Sequence, residues 1–367
     1  MKVSTTIRQV IRETDDTYTL VFNAVEGINN YKPGQFINFF VTIDGQEVIR
    51  QYSFSSAPET DLLPAVTIKR VPNGLLSHFL GTLRAGDVIN VSEPYGRFIL
   101  KDSTKKHLMI AGGSGITPIF SLIKSLLSKS DEGQITLLYS SKKSDSIIFR
   151  DKLDDLKKRF SNRLEVKYFV DELDLKTATD LLNRKINNSD LEHFMESQAK
   201  ENVYAYICGP QGLMTMASES LKAQGLAHDR IVMETFSNKE GQLENMSTSS
   251  ESSTIDILLK ERISIKVIRE ETILSQALKM GYALPHSCKE AMCGTCQVKV
   301  LAGKVRMREN YALTDDQVDQ GYALLCTGYA DSNKVLLAYE NYTTNHPNGV
   351  KHSQESRLNF TKQLISK

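Results

Sequence analysis

Tryptophan is absent from the 367 residues, an absence that excludes nothing. Other shortages are more telling. No apolar run is long enough to span a bilayer, and the start Met1-Lys2-Val3-Ser4-Thr5 offers no stretch of the kind a secretory leader needs. Neither sign of charge is in surplus. The 45 basic and 44 acidic residues leave +1, so no bulk field draws the chain to nucleic acid or an anionic membrane. There is no internal repeat of solenoid period. There is no evident two-His-one-carboxylate set or helical Glu-x-x-His pair, which leaves little support for an oxygen-activating iron centre in this chain. Cysteine is scarce, at five residues, and without a leader it reads as the content of a cytoplasmic protein rather than a disulfide framework. The 40% hydrophobic content is that of an ordinary soluble protein, and the length suits two or three domains.

Four of those cysteines are the most informative residues present. Cys288, Cys293 and Cys296 stand in Cys-x4-Cys-x2-Cys order, and Cys326 follows thirty residues later. This is the plant-type ligand spacing of a [2Fe–2S] cluster, which needs three thiolates on one tight loop and a fourth from a distant segment. Gly294, with the small residues Ala291 and Thr295, lets such a loop wrap and turn N–H groups toward sulfur. A structural zinc site also takes four thiolates, but usually as two short Cys pairs. Disulfides would need an oxidising compartment. A [2Fe–2S] centre moves one electron at a time, so the spacing predicts an electron carrier.

Three blocks, one polar connection and a polar tail organise the chain. Residues 1–103 hold short β-like runs, Thr17–Phe22, Gln35–Ile43, Ala65–Arg70 and Asp87–Val91. Turn signals such as Pro33-Gly34, Asp44-Gly45 and Pro72-Asn73-Gly74 separate them, as in a small antiparallel barrel. Residues 104–237 alternate strands (His107–Ala111, Gln134–Tyr139, Leu164–Val170, Val203–Ile207) with helical text, which implies an open parallel α/β sheet. Residues 238–254, with Ser247-Thr248-Ser249-Ser250-Glu251-Ser252-Ser253, read as a flexible linker or an ordered surface loop. Residues 255–345 carry the cysteines on a compact mixed sheet with one crossing helix, Ile273–Met280. Residues 346–367 form a polar tail.

Two glycine-bearing turns sit where phosphate chemistry needs them. Ala111-Gly112-Gly113-Ser114-Gly115-Ile116-Thr117-Pro118 joins a strand to a helix, so backbone can approach a pyrophosphate and the helix start can offer donors. It is not the Gly-x-Gly-x-x-Gly pattern, and no carboxylate follows about 20 residues later at a strand end. Gly74-Leu75-Leu76-Ser77 precedes a second short helix, where Ser77 is either a phosphate contact or a plain N-cap. After the strand ending at Tyr139 come Ser140, Ser141, Lys142 and Lys143. The two ammonium groups favour the 2′-phosphate of NADPH, whereas NADH would want a carboxylate; a solvated polar loop is the bland reading.

Arg50-Gln51-Tyr52-Ser53 resembles the Arg-x-Tyr-Ser signature of the ferredoxin–NADP reductase superfamily. In that family the segments matching Gly74–Ser77 and Ile68-Lys69-Arg70 border the flavin, and the Gly112–Pro118 turn and Cys208-Gly209-Pro210 meet the pyridine nucleotide. The resemblance implies that Arg50 grips the flavin pyrophosphate, Tyr52 stacks on the ring and Ser53 addresses its N5 edge. It implies the same neighbourhood for Glu234 and Phe236, in Met233-Glu234-Thr235-Phe236; Phe236 either covers the ring or is a bland core residue. Cys208 is either a small buried thiol or a catalytic influence.

Together with the C-terminal cysteine block, almost the whole chain is similar to reductase subunits of the phenylacetyl-CoA epoxidase and ring-hydroxylase type. Gly303-Lys304-Val305-Arg306-Met307 and Asn310-Tyr311-Ala312-Leu313 add to that likeness. The resemblance implies an antiparallel flavin-binding β-barrel, a parallel α/β nucleotide-binding domain and a C-terminal β-grasp ferredoxin domain. It implies FAD, NADPH or NADH, and a [2Fe–2S] cluster near roughly −400 mV, serving a separate oxygenase, hydroxylase or desaturase. The alternative is a relay or scaffold subunit whose nucleotide site no longer turns over. Between Thr254 and His346 eleven basic residues face eleven acidic ones, so bulk charge does not name a partner.

Overall fold

The computed structural model describes residues 2–339, apart from 44, 73, 130–131, 173–179, 197, 237–251, 260, 287–288, 290, 292–293, 311 and 314. The chain divides into two compact units, Met1–Phe236 and Ser237–Lys367. The tail expected at 346–367 and most of the expected linker lie outside the described residues.

The first unit begins with β1 (Lys2–Arg12), β2 (Thr17–Phe22), β3 (Phe36–Ile43), β4 (Gln46–Ser53), β5 (Ala65–Lys69), the short helix α1 (Leu75–Leu80) and β6 (Val88–Ser92). The sheet order β4-β3-β6-β1-β2-β5 is antiparallel throughout. Its two edges meet at a bridge between Phe54 and Val66, with Ser55 N–H donating to Ala65 O at 2.9 Å, so the sheet nearly closes into a barrel. Alternation explains the inside: Tyr18, Leu20 and Phe22 of β2 and Ile37, Phe39 and Val41 of β3 share one core with Val66 and Ile68 of β5. Strand β1 is not among the sequence expectations. Its polar text Ser4-Thr5-Thr6 hides the alternation, and a register shift between Ile7 and Gln9 breaks the period further on.

The remainder of the unit is built from β7 (Lys106–Gly112), α2 (Ile116–Lys129), β8 (Gln134–Lys143), α3 (Arg150–Arg159), β9 (Leu164–Glu172), β10 (Leu181–Leu182), α4 (Asn188–Glu196), β11 (Val203–Cys208), α5 (Gln211–Ala223) and β12 (Ile231–Glu234). All its strands are parallel, in the order β10-β9-β8-β7-β11-β12. Chain order reverses between β7 and β11, and open α/β sheets bind ligands at the carboxyl ends of the strands at such a reversal. Pro118 falls in the first turn of α2, where its missing N–H costs nothing. Helix α2 then buries Ile116, Ile119, Leu122, Ile123 and Leu126 against the sheet.

Barrel and nucleotide-type sheet meet across a seam of one polarity. Lys124 of α2 reaches Asp61 at 2.6 Å, Lys129 reaches Glu59 at 2.5 Å, and Lys152 of α3 reaches Glu13 at 2.7 Å. In each pair the cation belongs to the α/β sheet's helices and the carboxylate to the barrel. Ser121 Oγ adds a bond to Ser56 O at 2.5 Å.

The second unit holds β13 (Ser252–Leu258), β14 (Arg262–Ile268), α6 (Ile273–Lys279), β15 (Gln297–Ala302), β16 (Val305–Met307), α7 (Asp315–Asp319), β17 (Tyr322–Leu324), β18 (Gly328–Ala330) and β19 (Lys334–Ala338). Its main sheet runs β14-β13-β19-β15-β17, with β13 and β19 parallel at the centre and the outer pairs antiparallel. Helix α6 buries Ile273, Leu274 and Ala277 in the core this sheet forms, and Thr272 caps it by accepting from Ser275 N–H at 3.3 Å. This is the β-grasp arrangement. Strand β13 starts at Ser252, inside the segment expected as linker. Ser252, Ser253 and Thr254 pair with Ile268, Val267 and Lys266, so ladder bonds override a composition that reads as coil.

Candidate functional site

At the reversal point β7 ends in Gly112, a single tight turn spans Gly113–Gly115, and α2 starts at Ile116. Cys208 of β11 lies level with Ala111 of β7, which brings Gly209-Pro210 beside the turn. Each glycine there has its own reason. A Cβ on Gly115 would stand 2.1 Å from Cys208 O, and one on Gly112 would stand 2.5 Å from Pro210 Cδ. Gly113 is left-handed, at φ +53°, and a Cβ there would meet nothing within 4 Å, so this glycine faces open space. The Thr117 hydroxyl is buried in the first turn of α2 and has no partner. A backbone open at Gly113, with an unmatched buried donor one helical turn on, suits a pyrophosphate.

Tyr139, which sequence reasoning missed, holds this turn in shape. Its hydroxyl donates to Gly113 O at 3.2 Å and accepts from Ile148 N–H at 3.1 Å. An aromatic residue on a buried strand reads as core, so only the fold exposes its role. Burial raises its phenol far above the ordinary range.

The lysine segment is placed differently from expectation. Strand β8 runs through Ser140, Ser141, Lys142 and Lys143 rather than stopping at Tyr139, because β9 continues beside it as far as Glu172. Ser141 is therefore buried, with its hydroxyl 3.0 Å from Ser146 Oγ. Lys142 is exposed at the carboxyl end of the strand, while Lys143 Nζ stands 3.7 Å from Glu172. Ser140 is level with Gly112.

On the barrel, β4 carries Arg50, Tyr52 and Ser53 to the sheet's end. Arg50 is exposed, and its guanidinium donates to Ile49 O at 2.8 Å. Tyr52 packs edge-on against Phe39, with centroids 5.3 Å apart, and burial pushes its phenol up to about 12. The Ser53 hydroxyl is buried without a partner. On β5, Ile68 is wholly inside the barrel core. Lys69 pairs with Asp16 at 3.5 Å, and Arg70 donates to Asp15 O at 2.6 Å. Gly74 is the N-cap residue of α1 and Leu75 is exposed, whereas Leu76 is buried. Ser77 is not an N-cap: it lies inside the helix and donates back to Gly74 O at 2.9 Å. Tyr18, a second residue missed in the sequence, fixes this helix by donating to Ser77 O at 2.5 Å.

Glu234 and Cys208 share the last rung of the β11–β12 pair, and both are buried. Burial pushes the Cys208 thiol well up, and the Glu234 carboxylate adds to the shift. Phe236 is 38% exposed two residues further on, so the bland core reading does not hold for it.

In the second unit Cys296 and Cys326 are buried, and Ala291 N–H points at Cys326 Sγ across 3.4 Å. Cys288 and Cys293 lie outside the described residues. Lys289, Ala291 and Gly294 all take positive φ, at 58°, 57° and 66°. Left-handed residues in a turn help point N–H groups at anions and cluster sulfur. The described residues fit each implied group: orphaned hydroxyls at Ser53 and Thr117 for the flavin and the nucleotide, and buried thiols at Cys296 and Cys326, the latter facing a backbone donor, for the cluster.

Comparison with known proteins agrees with this geometry. Residues 4–99 match the oxidoreductase FAD-binding domain, 109–219 the oxidoreductase NAD-binding domain and 257–331 the 2Fe-2S iron-sulfur cluster binding domain. The chain is 31% identical over 352 residues to a 1,2-phenylacetyl-CoA epoxidase subunit of Escherichia coli K12, covering 92% of this chain and 97% of that one. It is also 31% identical to the ferredoxin reductase component of 3-ketosteroid-9-alpha-monooxygenase of Mycolicibacterium smegmatis, over 91% and 96% of the two chains. Among solved structures, phthalate dioxygenase reductase superimposes with a TM-score of 0.55 over 92% of this chain and 98% of its own, at 21% identity, a likeness of fold.

Proposed function

This chain belongs to the family of oxygenase reductase components that join an FAD-binding, an NAD-binding and a 2Fe-2S domain, and from that premise we propose that it carries electrons from NADPH to a separate oxygenase. The acceptor is of the phenylacetyl-CoA epoxidase type, or another hydroxylase or desaturase. FAD, when bound, takes electrons in pairs from a nicotinamide and releases them singly, which is what a one-electron [2Fe–2S] centre requires.

The chain's own residues position these groups. The Arg50 guanidinium binds the flavin pyrophosphate, Tyr52 lies against the ring and the Ser53 hydroxyl donates to it. Lys69, Arg70 and the Gly74–Ser77 segment border the same ligand, the latter through backbone. Gly112–Pro118 and Gly209-Pro210 receive the dinucleotide, with the Thr117 hydroxyl as a donor to its phosphates. Lys142 and Lys143 attract the 2′-phosphate. Cys208 and Glu234 flank the nicotinamide, and Phe236 covers the flavin until the nicotinamide takes its place. Cys288, Cys293, Cys296 and Cys326 hold the cluster.

The observation that carries the reading is the Ser53 hydroxyl, buried without a partner at the end of the Arg-x-Tyr-Ser strand. A buried donor left unmatched costs about 1–3 kcal/mol, and a flavin supplies the missing acceptor. A relay subunit without a working flavin would have no use for it. The test is anaerobic addition of NADPH to the purified chain. Bleaching of both flavin and cluster absorbance is expected, and retained colour rejects the proposal in favour of a relay. Among the described residues no helix is long and apolar enough to cross a membrane.

A further inference from the structure

Among the described residues of the cysteine loop, Thr295 carries a buried hydroxyl that the ligand set does not explain. Thr295 sits between Gly294 and Cys296, two residues after Cys293. Its hydroxyl oxygen is buried, and it has neither a donor nor an acceptor partner. Its chain neighbour Cys296 is buried in the core that also holds Ala291, Leu325 and Cys326. The backbone of the loop already directs one donor at sulfur, Ala291 N–H toward Cys326 Sγ at 3.4 Å. A hydroxyl gains nothing from such a place unless an acceptor arrives. The acceptors that arrive there with the cluster are sulfur atoms, those of the thiolates and of the inorganic sulfide.

We propose that the Thr295 hydroxyl donates a hydrogen bond to cluster sulfur and raises the reduction potential of the centre. The inference rests on the assignment of a [2Fe–2S] cluster to the cysteine quartet. The sign follows from charge. Reduction adds an electron to the iron–sulfur unit and makes its sulfurs better acceptors, so a donor stabilises the reduced form more than the oxidised one. Hydrogen bonds to the sulfurs are among the quantities that set cluster potentials. Thr295 is thus a positioning and tuning residue, not a ligand. Its β-branched methyl can pack whether or not the hydroxyl bonds, which allows the two roles to be separated by substitution.

The experiment compares Thr295→Val, which keeps the shape and removes the donor, with Thr295→Ser, which keeps the donor and removes the methyl. The readout is the midpoint potential of the cluster in the full-length chain, from a redox titration followed by low-temperature electron paramagnetic resonance. In Thr295→Val the ratio of reduced to oxidised cluster at a fixed poise is expected to fall about three- to tenfold, ~30 to ~60 mV for a one-electron couple. Thr295→Ser is expected to titrate as the unsubstituted chain does. If Thr295→Val assembles no cluster, Thr295→Ala takes its place under the same criterion. Failure of both hydroxyl-free variants to hold iron, with full loading in Thr295→Ser, also supports the proposal. An unshifted potential in the hydroxyl-free variant overturns it, as does a Thr295→Ser protein that shifts equally or loads no iron. Absence of iron and sulfide from the unsubstituted chain overturns instead the function on which the inference rests, so the two failures are distinguishable.

Discussion

The flavin and nucleotide sites of the first unit differ in construction from the cysteine loop of the second. In the first unit the key groups lie on or at the ends of regular elements: Ser53 on the last position of β4, Gly112 at the end of β7, Thr117 in the first turn of α2. Sheet ladders and glycine contacts fix them before any ligand is considered. In the second unit three of the four proposed ligands fall in a short segment in which Lys289, Ala291 and Gly294 all take left-handed backbone, two of them without the freedom of glycine. Non-glycine residues of this kind cost of order 1–3 kcal/mol in strained settings. A site made of sheet edges is ready in advance. A site made of a strained loop needs what it binds to hold its shape.

The strongest test of that contrast is to remove one cluster ligand. Cys326→Ser should abolish the cluster signal, while NADPH still bleaches the flavin at an unchanged rate. Visible spectra and stopped-flow traces check this, and joint loss of both activities would break the comparison. Next in size is Gly115→Ala. Its Cβ meets the backbone of Cys208, which cannot swing aside. Overpacking of this kind costs about 1–3 kcal/mol. The expected result is a thermal midpoint lowered by several degrees and weakened NADPH binding, with the cluster spectrum intact.

Arg50→Ala should lower FAD content without unfolding the barrel, since the guanidinium is exposed. Loss of charge-assisted bonds worth about 1.5–3 kcal/mol corresponds to roughly ten- to a hundredfold in dissociation constant. Flavin release on gel filtration measures it, and full occupancy would move the pyrophosphate contact elsewhere. The smallest effect expected is that of Lys142→Ala with Lys143→Ala, a loss of about tenfold or less for NADPH beyond that for NADH. Equal losses would reject the phosphate assignment. Lys143 shares its charge with Glu172, which is why the effect is ranked last.

The same division governs what could be read in the sequence. The cysteine spacing and the Gly-Gly-x-Gly turn are local: neighbours in the chain perform one task, so their order alone reveals it. Strands β7, β9 and β11 announce themselves by apolar runs. What escaped were features made by distant partners. Strand β1 is polar text held by β2 and β6, the last residues of β8 are extended by β9, and Ser252–Thr254 become strand through β14. Tyr139 and Tyr18 look like core aromatics, and only the fold shows that their hydroxyls hold Gly113 and Ser77. The burial of Ile68 and Ser141 was hidden for the same reason, since a motif gives positions along the chain and not the face each side chain takes.

The seam between barrel and α/β sheet has a consequence for protein engineering. Because Lys124, Lys129 and Lys152 stand on one side and Asp61, Glu59 and Glu13 on the other, the joint is keyed by sign. A chimera that grafts this barrel onto a foreign nucleotide module with acidic helices would set like charges face to face. Reversing only the three barrel charges should restore the fit, so modules from different reductases can be matched by reading these positions before any gene is cut.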